Sequence, residues 1–98
     1  MPRRPIADLV ELAPRRHAVY RLAPDLLLVF KPRGHTEPLH AHPHGQSLRV
    51  LSGRLRVRGA RGSIVLDARS RAYALAAGRP HASTALRDTW LLARRRRQ

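Results

Sequence analysis

The sequence contains no cysteine. That excludes disulfides and thiolate metal ligands together, and leaves nitrogen and oxygen as the donors for any bound metal. A long apolar run is missing too. The longest strictly apolar stretch, Leu26 to Phe30, is far short of the roughly 20 residues a membrane-spanning helix needs. The opening MPRRPIADLVELAPRR has a basic start but no hydrophobic segment of the signal-peptide kind. The expectation is a cytoplasmic protein with no membrane partner. Aromatic residues make up only 4% of the chain, so the stacking platform of a single-strand nucleic-acid binder is absent. No phosphate loop, dinucleotide fingerprint or Ser-His-Asp order is present, and neither an internal repeat nor a sustained helical period appears.

What is abundant is positive charge. Lys and Arg number 20 against six Asp and Glu, for a net charge of +14, and 19 of the 20 are Arg. A skew of this kind is also what a GC-rich coding sequence produces. It favours anionic partners at low salt, but without a recognition motif a basic nucleic-acid-binding barrel ranks third among the functional readings.

Ninety-eight residues make one domain, and a chain of this size buries only roughly two-thirds of its unfolded surface. A metal or a partner subunit would add to its stability. Residues 1–16, rich in Pro and Arg, read as an N-terminal arm in which Ile6 to Leu12 forms a helical turn or an edge strand. Residues 17–93 read as the folded barrel and 94–98 as a solvated basic tail. Between arm and tail, short β-prone runs alternate with Gly, Pro and Ser turns. Strands are expected over His17 to Leu22, Leu26 to Lys31, Gln46 to Leu51, Arg54 to Arg58, Ile64 to Leu66, Arg71 to Ala76 and Thr89 to Ala93. The alternation Arg54-Leu55-Arg56-Val57-Arg58 puts two aliphatic side chains inward and three arginines into solvent. These patterns by themselves argue for an all-β sandwich or barrel.

Four of the six histidines fall within Gly34 to Gly53, GHTEPLHAHPHGQSLRVLSG. His40 and His42 are two apart, so in an extended segment both imidazoles share a face and form half of a divalent metal site. Gln46 has the same parity and brings an amide oxygen. The stretch resembles the first motif of the cupin superfamily, G-x5-H-x-H-x3-4-E-x6-G, with Gly34, His40, His42 and Gly53 in register and Gln46 where the family has glutamate. Leu75 to Ala85, LAAGRPHASTA, is similar to the second motif, G-x5-P-x-G-x2-H-x3-N. Gly78 and His81 match it, while Ser70, Ala76 and Ala85 replace the first glycine, the proline and the asparagine.

The resemblance covers about Leu26 to Leu92, and it implies a small RmlC-like cupin, a double-stranded β-helix or jelly-roll barrel. It also implies a mononuclear divalent transition metal (iron, manganese, nickel, copper or zinc) on His40, His42, Gln46 and His81, and a homodimer. Because Gln46 is neutral, weaker divalent-metal affinity is expected than a Gln46→Glu variant would show. By parity Leu48, Val50, Leu55, Tyr73, Leu75 and Ser83 line the interior. His44, Glu37, Tyr73 and Ser83 are the pocket or outer-shell candidates, and Glu37 is the one carboxylate near the motif in place for general-base work. His17 and His35 read as surface residues. The implied function is a metal-dependent dioxygenase or isomerase acting on a small molecule. The alternative is a non-catalytic module that holds or senses a small ligand, and a metal-free structural barrel remains if the histidines fail to converge.

Overall fold

The structure is a computed structural model and describes residues 16–96. The arm expected over residues 1–16 therefore lies, but for Arg16, outside the described residues, as do the last two residues of the expected tail. Nine strands follow one another: β1 (Ala18–Ala23), β2 (Leu26–Lys31), β3 (Thr36–His40), β4 (Gly45–Ser52), β5 (Leu55–Gly59), β6 (Gly62–Leu66), β7 (Tyr73–Leu75), β8 (His81–Ala85) and β9 (Thr89–Arg96). Among the described residues no helix is long and apolar enough to cross a membrane.

The strands form two antiparallel sheets, a five-stranded one in the order β1-β2-β9-β4-β7 and a four-stranded one in the order β3-β8-β5-β6. The chain passes repeatedly from one sheet to the other, which is the jelly-roll arrangement the motifs imply. Period-2 alternation sets the faces. On β5, Leu55 and Val57 are buried and Arg56 and Arg58 are exposed. Val29, Leu48, Val50, Leu55, Val57, Leu66, Leu75, Leu91 and Ala93 meet between the sheets as one core.

One tight corner organises the end of the barrel away from His40 and His81. Gly53, between β4 and β5, has φ +92°, and a Cβ there would collide with the Asp88 carbonyl and lie 2.6 Å from Thr89 Oγ1. Only glycine fits. The fully buried Thr89 hydroxyl shares its proton between the carbonyls of Arg87 (2.7 Å) and Arg54 (3.0 Å) and accepts the Arg54 amide at 3.1 Å.

Three residues of the expected tail belong to a strand instead. Arg94, Arg95 and Arg96 pair with Ser47, Gln46 and Gly45 and complete β9. The backbone groups at the start of β4 need partners whatever side chains the partner strand carries. The three arginine side chains are exposed, as a solvated run would be.

Candidate metal centre

Strand pairing brings the two motifs together. β3 runs antiparallel to β8 with Thr36 opposite Thr84, Glu37 opposite Ser83 and His40 opposite His81, the register shifting between Glu37 and His40. The His40 and His81 ring centroids are 4.5 Å apart. His42 follows the end of β3, where its carbonyl accepts the Gly78 amide at 2.7 Å. Gly78 of the second motif thus tethers His42 of the first. The His42 ring lies 4.8 Å from that of His40 and 5.3 Å from that of His81, and one donor atom from each of the three imidazoles falls within 4.8 Å of the others.

Backbone carbonyls fix two of the three rings. His40 Nδ1 is 2.7 Å from the Pro38 carbonyl and His81 Nδ1 is 3.3 Å from that of Arg79. A carbonyl only accepts, so each Nδ1 carries the hydrogen and each Nε2 keeps its lone pair. Nε2 of His40 and Nε2 of His42 approach to 3.1 Å. Adjacent donors around an ion with bonds of about 2.1 Å sit roughly 3.0–3.4 Å apart, so the spacing fits one coordination sphere. Burial lowers the pKa of His42, helped by His40, His81 and His44. Burial likewise lowers that of His81, against the raising effect of its bond to the Arg79 carbonyl. Both shifts favour the neutral, ligating form.

The three histidines open onto a cavity of about 180 Å³ between the sheets. Its floor is apolar, with Leu48, Leu75, Leu91 and Ala93, and its polar lining includes Gln46, Glu37, Ser83 and Lys31. The structure therefore places Gln46, Glu37 and Ser83 beside the three histidines. Val50 and Leu55 belong to the core but do not line the cavity.

Two candidates stand elsewhere. His44 Nδ1 accepts a hydrogen bond from Arg95 Nη2 at 3.1 Å, its ring lies 5.4 Å from that of His42, and it does not line the histidine cavity. Tyr73 is not part of the histidine cavity. β7 is an edge strand of its sheet among the described residues, and Tyr73 lines a separate cleft of about 440 Å³ between β7 and the β5–β6 hairpin, which shares His81 with the histidine cavity.

Sequence reasoning missed three residues. Lys31 is buried at 6% exposure; its Nζ lies 2.8 Å from Glu37 Oε1 and donates to Ser83 Oγ at 3.1 Å. Two signals could have found it. It shares the inward parity of Val29 on β2, and it is the single lysine beside 19 arginines. His17 and His35, read as surface residues, stack at 4.4 Å with Nε2 atoms 4.0 and 3.9 Å from Glu37 Oε1. His35 is half-buried and its Nε2 is enclosed without a hydrogen-bond partner. Desolvation lowers its pKa first, then the neighbouring His17 and Lys31.

Glu37 is thus the hub between two histidine groups, with Oε2 3.7 Å from His40 Nε2. Burial alone would raise its carboxyl pKa. The hydrogen bond and charge of Lys31, with the nearby His40 and His17, outweigh that and hold it below the ordinary value.

No family model matches the sequence, and no curated protein matches it. The structure does find similar solved ones. A cupin superfamily protein from Desulfitobacterium hafniense DCB-2 aligns with a TM-score of 0.75 at 15% identity, covering 95% of this chain and 91% of that one. The cupin-2 domain of an XRE family transcriptional regulator from Enterobacter cloacae aligns at 0.71 and 17% identity, covering 86% and 99%. KdgF from Halomonas sp. aligns at 0.64 and 24% identity, covering 84% and 79%. The chain has the cupin fold.

Proposed function

We propose that this cupin-fold chain is a metal-binding protein that holds one divalent transition ion on His40, His42 and His81, with Gln46 beside them, and acts on a small molecule in a reaction of the dioxygenase or isomerase kind. The observation that carries the reading is the convergence of three imidazoles on one cavity between the sheets, with the hydrogen-bonded Nδ1 atoms of His40 and His81 leaving the Nε2 lone pairs available to an ion. An ion held there would act as a Lewis acid on a substrate oxygen or as a site for dioxygen. The chain's own part is to present neutral donors, exclude water through the apolar floor, and place polar groups at Glu37, Lys31 and Ser83 where a ligand would be oriented.

A second reading, a module that holds or senses a small ligand without turning it over, is favoured by one observation. Glu37, the carboxylate nearest the motif, is already engaged by Lys31 at 2.8 Å, which weakens it as a general base. The likeness to the domain of a transcriptional regulator is consistent with that reading. Oxygen uptake and product analysis across a panel of small carbonyl and hydroxy compounds, with metal-loaded protein, decide between them. Turnover lost with His40→Ala supports the enzyme, and tight binding without turnover supports the module. A homodimer belongs to the same proposal and is supported by the exposed Val19, Tyr20 and Leu22 on β1, an edge strand among the described residues.

A further inference from the structure

We infer that Glu37 is the anionic partner of the metal centre, supplying from β3 the carboxylate that position 46 lacks. This rests on the metal reading above and adds a residue to it. The carboxylate bridges two groups. Oε1 is anchored by Lys31 Nζ at 2.8 Å, and Oε2 faces His40 Nε2, the proposed donor atom, at 3.7 Å. Two donors bound to one ion by bonds of about 2.1 Å are separated by at most about 4.2 Å, so Oε2 and the His40 nitrogen are close enough to share an ion. Glu37 stands outside the set of donor atoms within 4.8 Å of one another that His40, His42 and His81 form, and serves the centre as the charge beside it or reaches the ion by a turn of its side chain.

The placement is built into the sheet. Glu37 opposes Ser83 across the β3–β8 ladder, and Ser83 Oγ accepts the same Lys31 ammonium. Lys31 reaches both from β2, in the other sheet, so a salt bridge and a hydrogen bond fix the carboxylate from across the barrel.

Charge gives the reason. Gln46 is neutral, and of the described residues lining the cavity Glu37 is the only carboxylate, while Lys31 is a buried cation. Three neutral imidazoles beside an unpaired ammonium would meet an incoming dication with repulsion. With Glu37 the cavity starts from a neutral balance. The lone lysine also has a role here. A compact ammonium holds one carboxylate oxygen and leaves the other free, whereas a guanidinium tends to engage both.

The test is Co²⁺ affinity and visible absorption of the purified protein, with Co²⁺ alone as probe. Glu37→Gln is expected to weaken Co²⁺ binding by about tenfold or more and to change the d–d bands. Gln46→Glu in that background is expected to recover most of the loss, because the charge returns from the other side. Since Glu37→Gln leaves the Lys31 ammonium buried without its carboxylate, the comparison is repeated between Lys31→Met and Lys31→Met/Glu37→Gln, where the same drop is expected. A wild type that binds Co²⁺ through His40 and His42 but is indifferent to Glu37→Gln in both backgrounds overturns this inference alone. A wild type that takes up no Co²⁺ overturns it together with the metal reading.

Discussion

His40 and His81 are register partners across the β3–β8 ladder, with ring centroids 4.5 Å apart. The two motifs therefore meet through strand pairing, and the third imidazole, His42, is tied to them through the Gly78 amide. From this geometry His81→Ala should cost about 100-fold or more in divalent-metal affinity, beyond what outer-shell changes cost. His44→Ala, which removes a ring bonded to Arg95 in an exposed contact, should change affinity within about fivefold, as exposed polar contacts do. Competition titration with a chromophoric chelator reads both. Equal losses would contradict the three-histidine centre.

The Gly53 corner predicts a contrast between two glycines with positive φ. At Gly53 a Cβ meets backbone of Asp88 and Thr89, while at Gly62, φ +116°, it meets nothing within 4 Å. Gly53→Ala should destabilise by about 3 kcal/mol or more, since steric overlap adds to backbone strain. Gly62→Ala carries only the strain, about 1–2 kcal/mol. Urea denaturation of the two variants measures the difference, and similar midpoints would count against the corner as described.

Thr89 presses the same corner from inside. Thr89→Val keeps the shape but leaves the Arg54 amide without the acceptor it now has at 3.1 Å. Losing a partner to a buried polar group costs about 1–3 kcal/mol. For a domain of this size that is a fall in Tm of roughly 4–8 °C per kcal/mol. A variant melting with the wild type would show that the hydroxyl bonds contribute nothing.

The metal-free protein should lose stability on mild acidification. His35, His42 and His81 all have pKa values below the ordinary 6.5. The unfolded chain thus takes up protons before the folded one, and stability rises with pH across the window between the lowered values and 6.5. Going down in pH, the loss begins near 6.5 and is complete below the folded-state values. Glu37, lowered from 4.5, adds a further loss as pH falls through that range. Thermal melts of chelator-treated protein between pH 8 and pH 4 should show Tm falling below about 6.5, with a shallower fall in His81→Ala. A flat profile through pH 5 would refute the shifts.

Much of the barrel was legible because its causes are local. Leu55 and Val57 alternate with arginines, and that pattern needs no knowledge of the partner strand. His40, His42 and His81 were legible through motif spacing, although His42 lies past the end of β3 and shares the site through the Gly78 tether as well as through parity. The extension of β9 through Arg96 was hidden because three consecutive arginines carry no alternation. Lys31 was hidden for a different reason. Its inward parity was legible, but its partners Glu37 and Ser83 belong to the opposite sheet, and a pairing between sheets leaves no period in the sequence. His35 and His17 join the cluster only through Glu37, which faces them with Oε1 and His40 with Oε2.

The central claim is tested most directly by measuring bound metal, by elemental analysis of untagged protein, in the wild type beside the His40→Ala/His42→Ala double variant. Stoichiometric divalent metal in the wild type, lost in the double variant, is the predicted result. No metal in either, after incubation with iron, manganese, nickel, copper and zinc, would contradict it and leave a barrel whose histidines serve only its structure or a small ligand.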